Sequence, residues 1–72
     1  AASDAGTAAA TAAAAARGAY LNVMINLDGL ADPGYVVATA ARAREALEQT
    51  LRASDEVFGA VQARLEGALA PR

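Results

Sequence analysis

Between residues 8 and 16 every side chain except that of Thr11 is a methyl group. Alanine has the highest helix propensity and loses almost no side-chain entropy on folding, so this run predicts helix. The same property limits what the helix can build. Small side chains let a neighbouring helix approach closely, but each contributes little buried area. The 72-residue chain has no cysteine and no histidine, which removes disulfides and the usual zinc or haem ligands, and its aromatic residues are Tyr20, Tyr35 and Phe58. Chains of this size commonly need such staples or an oligomer to be stable. The expectation is a piece of a longer protein, or a chain that completes its core against partners, and not a stable monomer.

The pattern predicts two helices. The first runs from about residue 4 to residue 25, with Ser3 or Asp4 as N-cap, since either offers an oxygen to a free amide of the first turn. Asn26, Asp28 and Gly29 mark a turn between residues 26 and 32, with Gly29 able to take a positive φ. Asp32 then caps a second helix with Pro33 at its first position. Apolar residues at Val36, Ala40, Ala43, Leu47, Leu51, Val57/Phe58, Val61, Leu65 and Leu69 follow at helical spacing and form one stripe. Arg44 with Glu48, Glu48 with Arg52, and Arg52 with Glu56 lie four apart on the other side, each pair adding about 0.2–0.5 kcal/mol on a solvated face. Ser54-Asp55 and Gly59 are places where this helix, roughly 50 Å long at 1.5 Å per residue, could break or bend, though the apolar stripe keeps its phase across them. Pro71 ends it. The expected fold is all-α: a helical hairpin of a short alanine-rich helix, a turn and a long amphipathic helix, forming part of a larger helical bundle. Residues 1–72 belong to one domain.

A net charge of −2 with interspersed signs gives no basic patch, so the sequence offers nothing to nucleic acid. The alanine run lacks the basic flank of a signal peptide and has Asp4 at its start. A membrane span over residues 5–27 would place Arg17, Asn22 and Asn26 in hydrocarbon. The expectation is a cytoplasmic protein that uses neither membrane nor nucleic acid.

Along the first helix Ser3, Thr7, Thr11, Ala15, Gly18, Asn22 and Asn26 recur at three and four and share one broad face. Amides on an apolar helix end are costly to bury without partners. In one reading this face makes a close helix crossing in which Thr and Asn satisfy each other. In the other it walls a pocket, with Gly18 admitting a planar ligand that Asn22 and Asn26 hydrogen-bond. Asp4 is the acid on that face, suited to helix capping or, if buried in a cleft, to acid–base work. Arg17 flanks the pocket, where it can meet a ligand carboxylate or simply sit at the surface. No nucleophile–base pair, phosphate-binding loop or metal cluster can be assembled, so these residues alone do not make an enzyme.

The order Ser3-Asp4, an alanine-rich helix, Arg17-Gly18-Ala19-Tyr20-Leu21-Asn22-Val23, Ile25-Asn26-Leu27, the Asp28-Gly29 and Asp32-Pro33 turn and a long amphipathic helix resembles the C-terminal segment of the cyclodeaminase domain of formiminotransferase-cyclodeaminase. Related bacterial methenyltetrahydrofolate cyclohydrolases share it. The resemblance covers residue 3 to about residue 69, and its specific part is Gly18, Ala19, Tyr20, Asn22, Val23, Ile25, Asn26 and Leu27. It implies an all-α, dimerising domain with a folate site between helices. The substrate is then a tetrahydrofolate derivative and no metal is needed. The cyclodeaminase closes 5-formiminotetrahydrofolate to 5,10-methenyltetrahydrofolate and expels ammonia, whereas the cyclohydrolase opens the methenyl compound with water. The implied substrate-binding residues are Gly18, Asn22, Asn26 and Arg17, with Asp4 and Ser3 as contributors to proton transfer. The family domain is much longer, so the implied partners are the remainder of the parent domain and a second copy. The segment alone should be inactive. The rival expectation is a non-catalytic helical interaction or oligomerisation module. The sequence does not separate deaminase from hydrolase chemistry.

Overall fold

A computed structural model of the protein describes residues 1–71. It is an antiparallel hairpin of two helices, α1 over Ala2–Leu27 and α2 over Pro33–Ala68, drawn out to 63 × 15 × 14 Å. Helix α1 begins two residues earlier and ends two residues later than the sequence pattern suggests. Its N-cap is Ala1, which has no oxygen to offer, so neither Ser3 nor Asp4 holds that position. Asp4 lies in the first turn, where its carboxylate accepts from the Ala1 nitrogen at 3.4 Å. A carboxylate there also suits the positive end of the helix dipole.

The turn occupies residues 28–32. Asp28 is the extended C-cap of α1, and Gly29 takes φ +82°, a conformation in which an L side chain meets its own backbone. Asn26 stays inside the last turn of α1 and is no part of the loop. Asp32 caps α2 as expected: its Oδ1 accepts from the Tyr35 amide at 3.1 Å, and Pro33 occupies the first turn.

The two helices meet along a heptad seam. On α1 the inward positions are Ala2, Gly6, Ala9, Ala13, Ala16, Tyr20, Val23 and Leu27; on α2 they are Val36, Ala40, Ala43, Leu47, Thr50, Ser54 and Val61. Steps alternating between three and four put every second member seven residues on, the spacing that keeps a seam facing its partner. Beside the turn the seam is wide and filled by Leu27, Val23, Tyr20, Val36 and Leu47. Towards the other end α1 offers only methyl groups and a glycine, and the helices close up. A Cβ built on Gly6 would stand 3.2 Å from Cγ1 of Val61.

Ser54 marks the difference between the expected stripe and the observed one. It is the most buried residue of α2, at 7% exposure, and its hydroxyl donates to the Ala9 carbonyl across the seam at 2.7 Å. The helix does not break there or at Gly59, and α2 runs on to Ala68. A serine is accepted in this seam because α1 presents a methyl-only surface, close enough for a backbone carbonyl to satisfy the hydroxyl. Leu65 and Leu69, assigned to the inner stripe by hydropathy, are exposed at 47% and 84%, each standing one residue off the heptad phase that the seam keeps. Val57 and Phe58 are also largely exposed. Among the described residues none of the three Arg–Glu pairs of α2 closes to ion-pair distance, leaving a solvated face.

Helix α1 carries two charges, Asp4 and Arg17, and is apolar around most of its circumference. Helix α2 confines its charges to the side away from the seam. The side of α1 that α2 leaves open mixes exposed apolar residues such as Leu21 and Ile25 with Thr7, Thr11, Asn22 and Asn26.

Candidate functional site

Ser3, Thr7, Thr11, Ala15, Gly18, Asn22 and Asn26 are all exposed on α1, with Ser3, Thr7 and Thr11 bordering an open groove against α2 and Gly18, Asn22 and Asn26 outside it. The close crossing with α2 is made by a different set, Gly6, Ala9 and Ala13. The amides are therefore not spent on this helix contact. Asn26 Nδ2 donates to the Asn22 backbone carbonyl at 2.7 Å and to Asn22 Oδ1 at 3.0 Å, fixing the two heads as a joined pair. These two hydrogen bonds donated by one amide nitrogen set the polarity of what is left. Asn22 Nδ2 keeps its two N–H donors and Asn26 Oδ1 its acceptor lone pairs.

One turn before this pair, Gly18 opens the surface. A Cβ built there meets no atom within 4 Å, so nothing in the hairpin requires a glycine, in contrast to Gly6. A glycine inside a helix costs roughly 0.5–1 kcal/mol relative to alanine. Gly59 of α2 has equally open surroundings but no polar pair beside it. Arg17 is exposed next to Gly18, and Leu21 and Ile25, at 59% and 72% exposure, flank the amides with apolar surface. Together these residues make an exposed patch in which unpaired amide donors and an acceptor lie beside apolar side chains.

Ser3 and Asp4 lie elsewhere. Asn22 lies eighteen positions beyond Asp4 along unbroken helix, about 27 Å at 1.5 Å per residue. The Asp4 side chain is 87% exposed. Ser3 lines one end of an open groove of about 680 Å³ between Thr7 and Ala10 of α1 and Phe58 and Leu65 of α2, a surface almost wholly apolar. The structure thus places Gly18, Asn22 and Asn26 on one face of α1, with Arg17 preceding Gly18 but about 100° round the helix from it, and does not bring Ser3 or Asp4 to that group within one chain. Among the described residues no three His, Cys, Asp or Glu side chains gather, and no helix is long and apolar enough to cross a membrane. Phe58 and the Ser3 groove had no signal in the sequence beyond hydropathy.

The chain is thus an all-α helical hairpin with an alanine-faced seam and an exposed amide pair on its first helix. The family model for formiminotransferase-cyclodeaminase matches residues 1–63. The match takes in all of α1, the turn and most of α2, and the chain belongs to this family. Comparison with the curated proteins and with the solved structures gave no match.

Proposed function

We propose that this hairpin is the C-terminal wall of a folate-converting helical domain. The domain would close 5-formiminotetrahydrofolate to the 5,10-methenyl compound with release of ammonia, or hydrolyse the methenyl compound. The observation that supports this reading, beside family membership, is the Asn22–Asn26 pair. Two amides held in one orientation, next to an unneeded glycine and exposed apolar side chains, are what a flat heterocycle requires. Ring closure needs N10 held against the formimino carbon and an acid for the departing amine. In this reading Gly18 gives the ring room, Asn22 and Asn26 hold its edge, and Arg17 meets the carboxylate tail. The remainder of the parent domain covers the outer face of α1 and excludes water.

In this reading Ser3 and Asp4 contribute to proton transfer, and the roughly 27 Å between Asp4 and Asn22 supports a shared arrangement. They cannot reach a reacting centre seated beside Asn22 of their own chain. They reach one held by a second copy whose α1 runs antiparallel, with Asp4 of each copy beside Asn22 of the other. The enzyme is then a homo-oligomer with shared sites.

The test is to replace Asn22 or Asn26 by Leu in the full-length protein and measure binding of 5-formiminotetrahydrofolate together with the unfolding curve. A pocket wall loses folate affinity while the fold holds. Unchanged affinity with equal or greater stability establishes the rival, a non-catalytic interaction helix.

A further inference from the structure

Resting on the folate reading above, we infer that the Asn22–Asn26 pair reads the lactam edge of the pterin in one direction only, with the ring oxygen at Asn22 and the adjacent ring N–H at Asn26. The direction follows from the bonds within the pair. Both hydrogens of Asn26 Nδ2 are used, one on the Asn22 backbone carbonyl at 2.7 Å and one on Asn22 Oδ1 at 3.0 Å. Turning over the Asn26 amide would bring its oxygen against two acceptors and lose both bonds. Turning over the Asn22 amide would set donor against donor. The pair therefore presents a donor from Asn22 followed, towards the C-terminal end of α1, by an acceptor from Asn26.

A 2-amino-4-oxopteridine answers with an acceptor oxygen and a neighbouring N–H donor in that order. A 2,4-diaminopteridine has the reverse order at the same two atoms. To find a match it must slide by one atom along the edge, which moves the rest of the molecule with it. A site built around fixed donors and acceptors rejects the mismatched analogue because its own polar groups are then left unpaired.

The experiment compares binding of folic acid and its 4-amino-4-deoxy counterpart to the full-length protein, as wild type, Asn22→Asp and Asn22→Leu. Asn22→Asp keeps an acceptor for Asn26 Nδ2 and replaces the outward N–H donor by a negatively charged acceptor oxygen. Circular dichroism melts of each variant check that the helices persist. The expected result is a preference of at least about tenfold for the 4-oxo ring in the wild type, abolished or reversed by Asn22→Asp, with both rings weakened by Asn22→Leu. Equal binding of both rings by the wild type, with both weakened by Asn22→Leu, overturns the direction of reading and leaves the site in place. Binding unaffected by either substitution, or no binding of either ring, overturns the site itself and this inference with it.

Discussion

The Ser54 hydroxyl donates a 2.7 Å hydrogen bond to the carbonyl of Ala9, a residue 45 positions away and on the other helix. Both residues are buried, and the bond sits where α1 offers nothing larger than a methyl group. It therefore acts as the register mark of the alanine end of the seam, a task that side-chain shape performs near the turn. Sliding α1 by one residue against α2 would leave the hydroxyl buried without an acceptor.

Replacing Ser54 by Ala should lower stability by about 0.5–1.5 kcal/mol, because the Ala9 carbonyl keeps its partner within the helix and only the cross-seam bond is lost. Ser54→Leu conserves hydropathy in the direction the stripe suggests, yet should cost more, about 1–3 kcal/mol, because the seam has no space for it. Urea unfolding of the full-length variants checks the order. A stabilising Ser54→Leu would show that the seam is looser than the Ser54–Ala9 distance implies.

Glycines 6 and 18 should respond oppositely to the same change. Gly6→Ala puts a Cβ 3.2 Å from Val61 Cγ1, so the side chain or the helices must give by a few tenths of an ångström. The helix-propensity gain is offset there. Gly18→Ala meets open space and should stabilise by about 0.5–1 kcal/mol while weakening folate binding, since the methyl occupies the ground in front of Asn22. Thermal unfolding with and without 5-formiminotetrahydrofolate separates the two effects. A Gly18→Ala protein that is more stable and binds as well as wild type would remove Gly18 from the site.

The turn gives a third pair. Gly29→Ala should cost about 1–2 kcal/mol at φ +82°, and Gly29→Asn less, because asparagine tolerates the left-handed region. Asp32→Ala removes the acceptor for the Tyr35 amide and should cost about 1 kcal/mol. Unfolding curves of the three variants check the ranking, and equal losses from Gly29→Ala and Gly29→Asn would show that φ is not what glycine supplies.

These residues also show which parts of the molecule a sequence displays. Gly29, Asp32 and Pro33 act through their own backbone and nearest neighbours, so the turn and both helices are legible without knowledge of any partner. Thr50 and Ser54 are not legible from hydropathy, because their burial depends on how closely α1 approaches, which is a property of Ala9 and Ala13. The spacing does contain them: 36, 40, 43, 47, 50, 54 and 61 keep one heptad phase, whereas Leu65 and Leu69 depart from it. In the candidate site, the shared face of Gly18, Asn22 and Asn26 is legible from steps of four. The mutual locking of the amides is not, since it depends on side-chain torsions. Placing Asp4 in the same face is correct in angle, but angle carries no information about the 27 Å of rise between them.

That rise supports the last prediction. If Asp4 serves the folate held at Asn22 of a second, antiparallel copy, an Asp4→Asn protein keeps its binding edge and loses its proton donor, while an Asn22→Leu protein does the reverse. Each variant alone should have little cyclodeaminase activity, followed as methenyltetrahydrofolate absorbance. Mixed in equal amounts and allowed to exchange subunits, half of the dimers contain one copy of each. Every such mixed dimer pairs an intact Asp4 with an intact Asn22 at one of its two sites, so activity should recover to roughly a quarter of wild type for a twofold-symmetric dimer. The double variant mixed with wild type controls for exchange. Recovery requires that the two groups act across copies, because neither variant chain holds both. Absence of recovery after verified exchange would confine each residue to its own chain, and the helical rise would then remove Asp4 from the chemistry at Asn22.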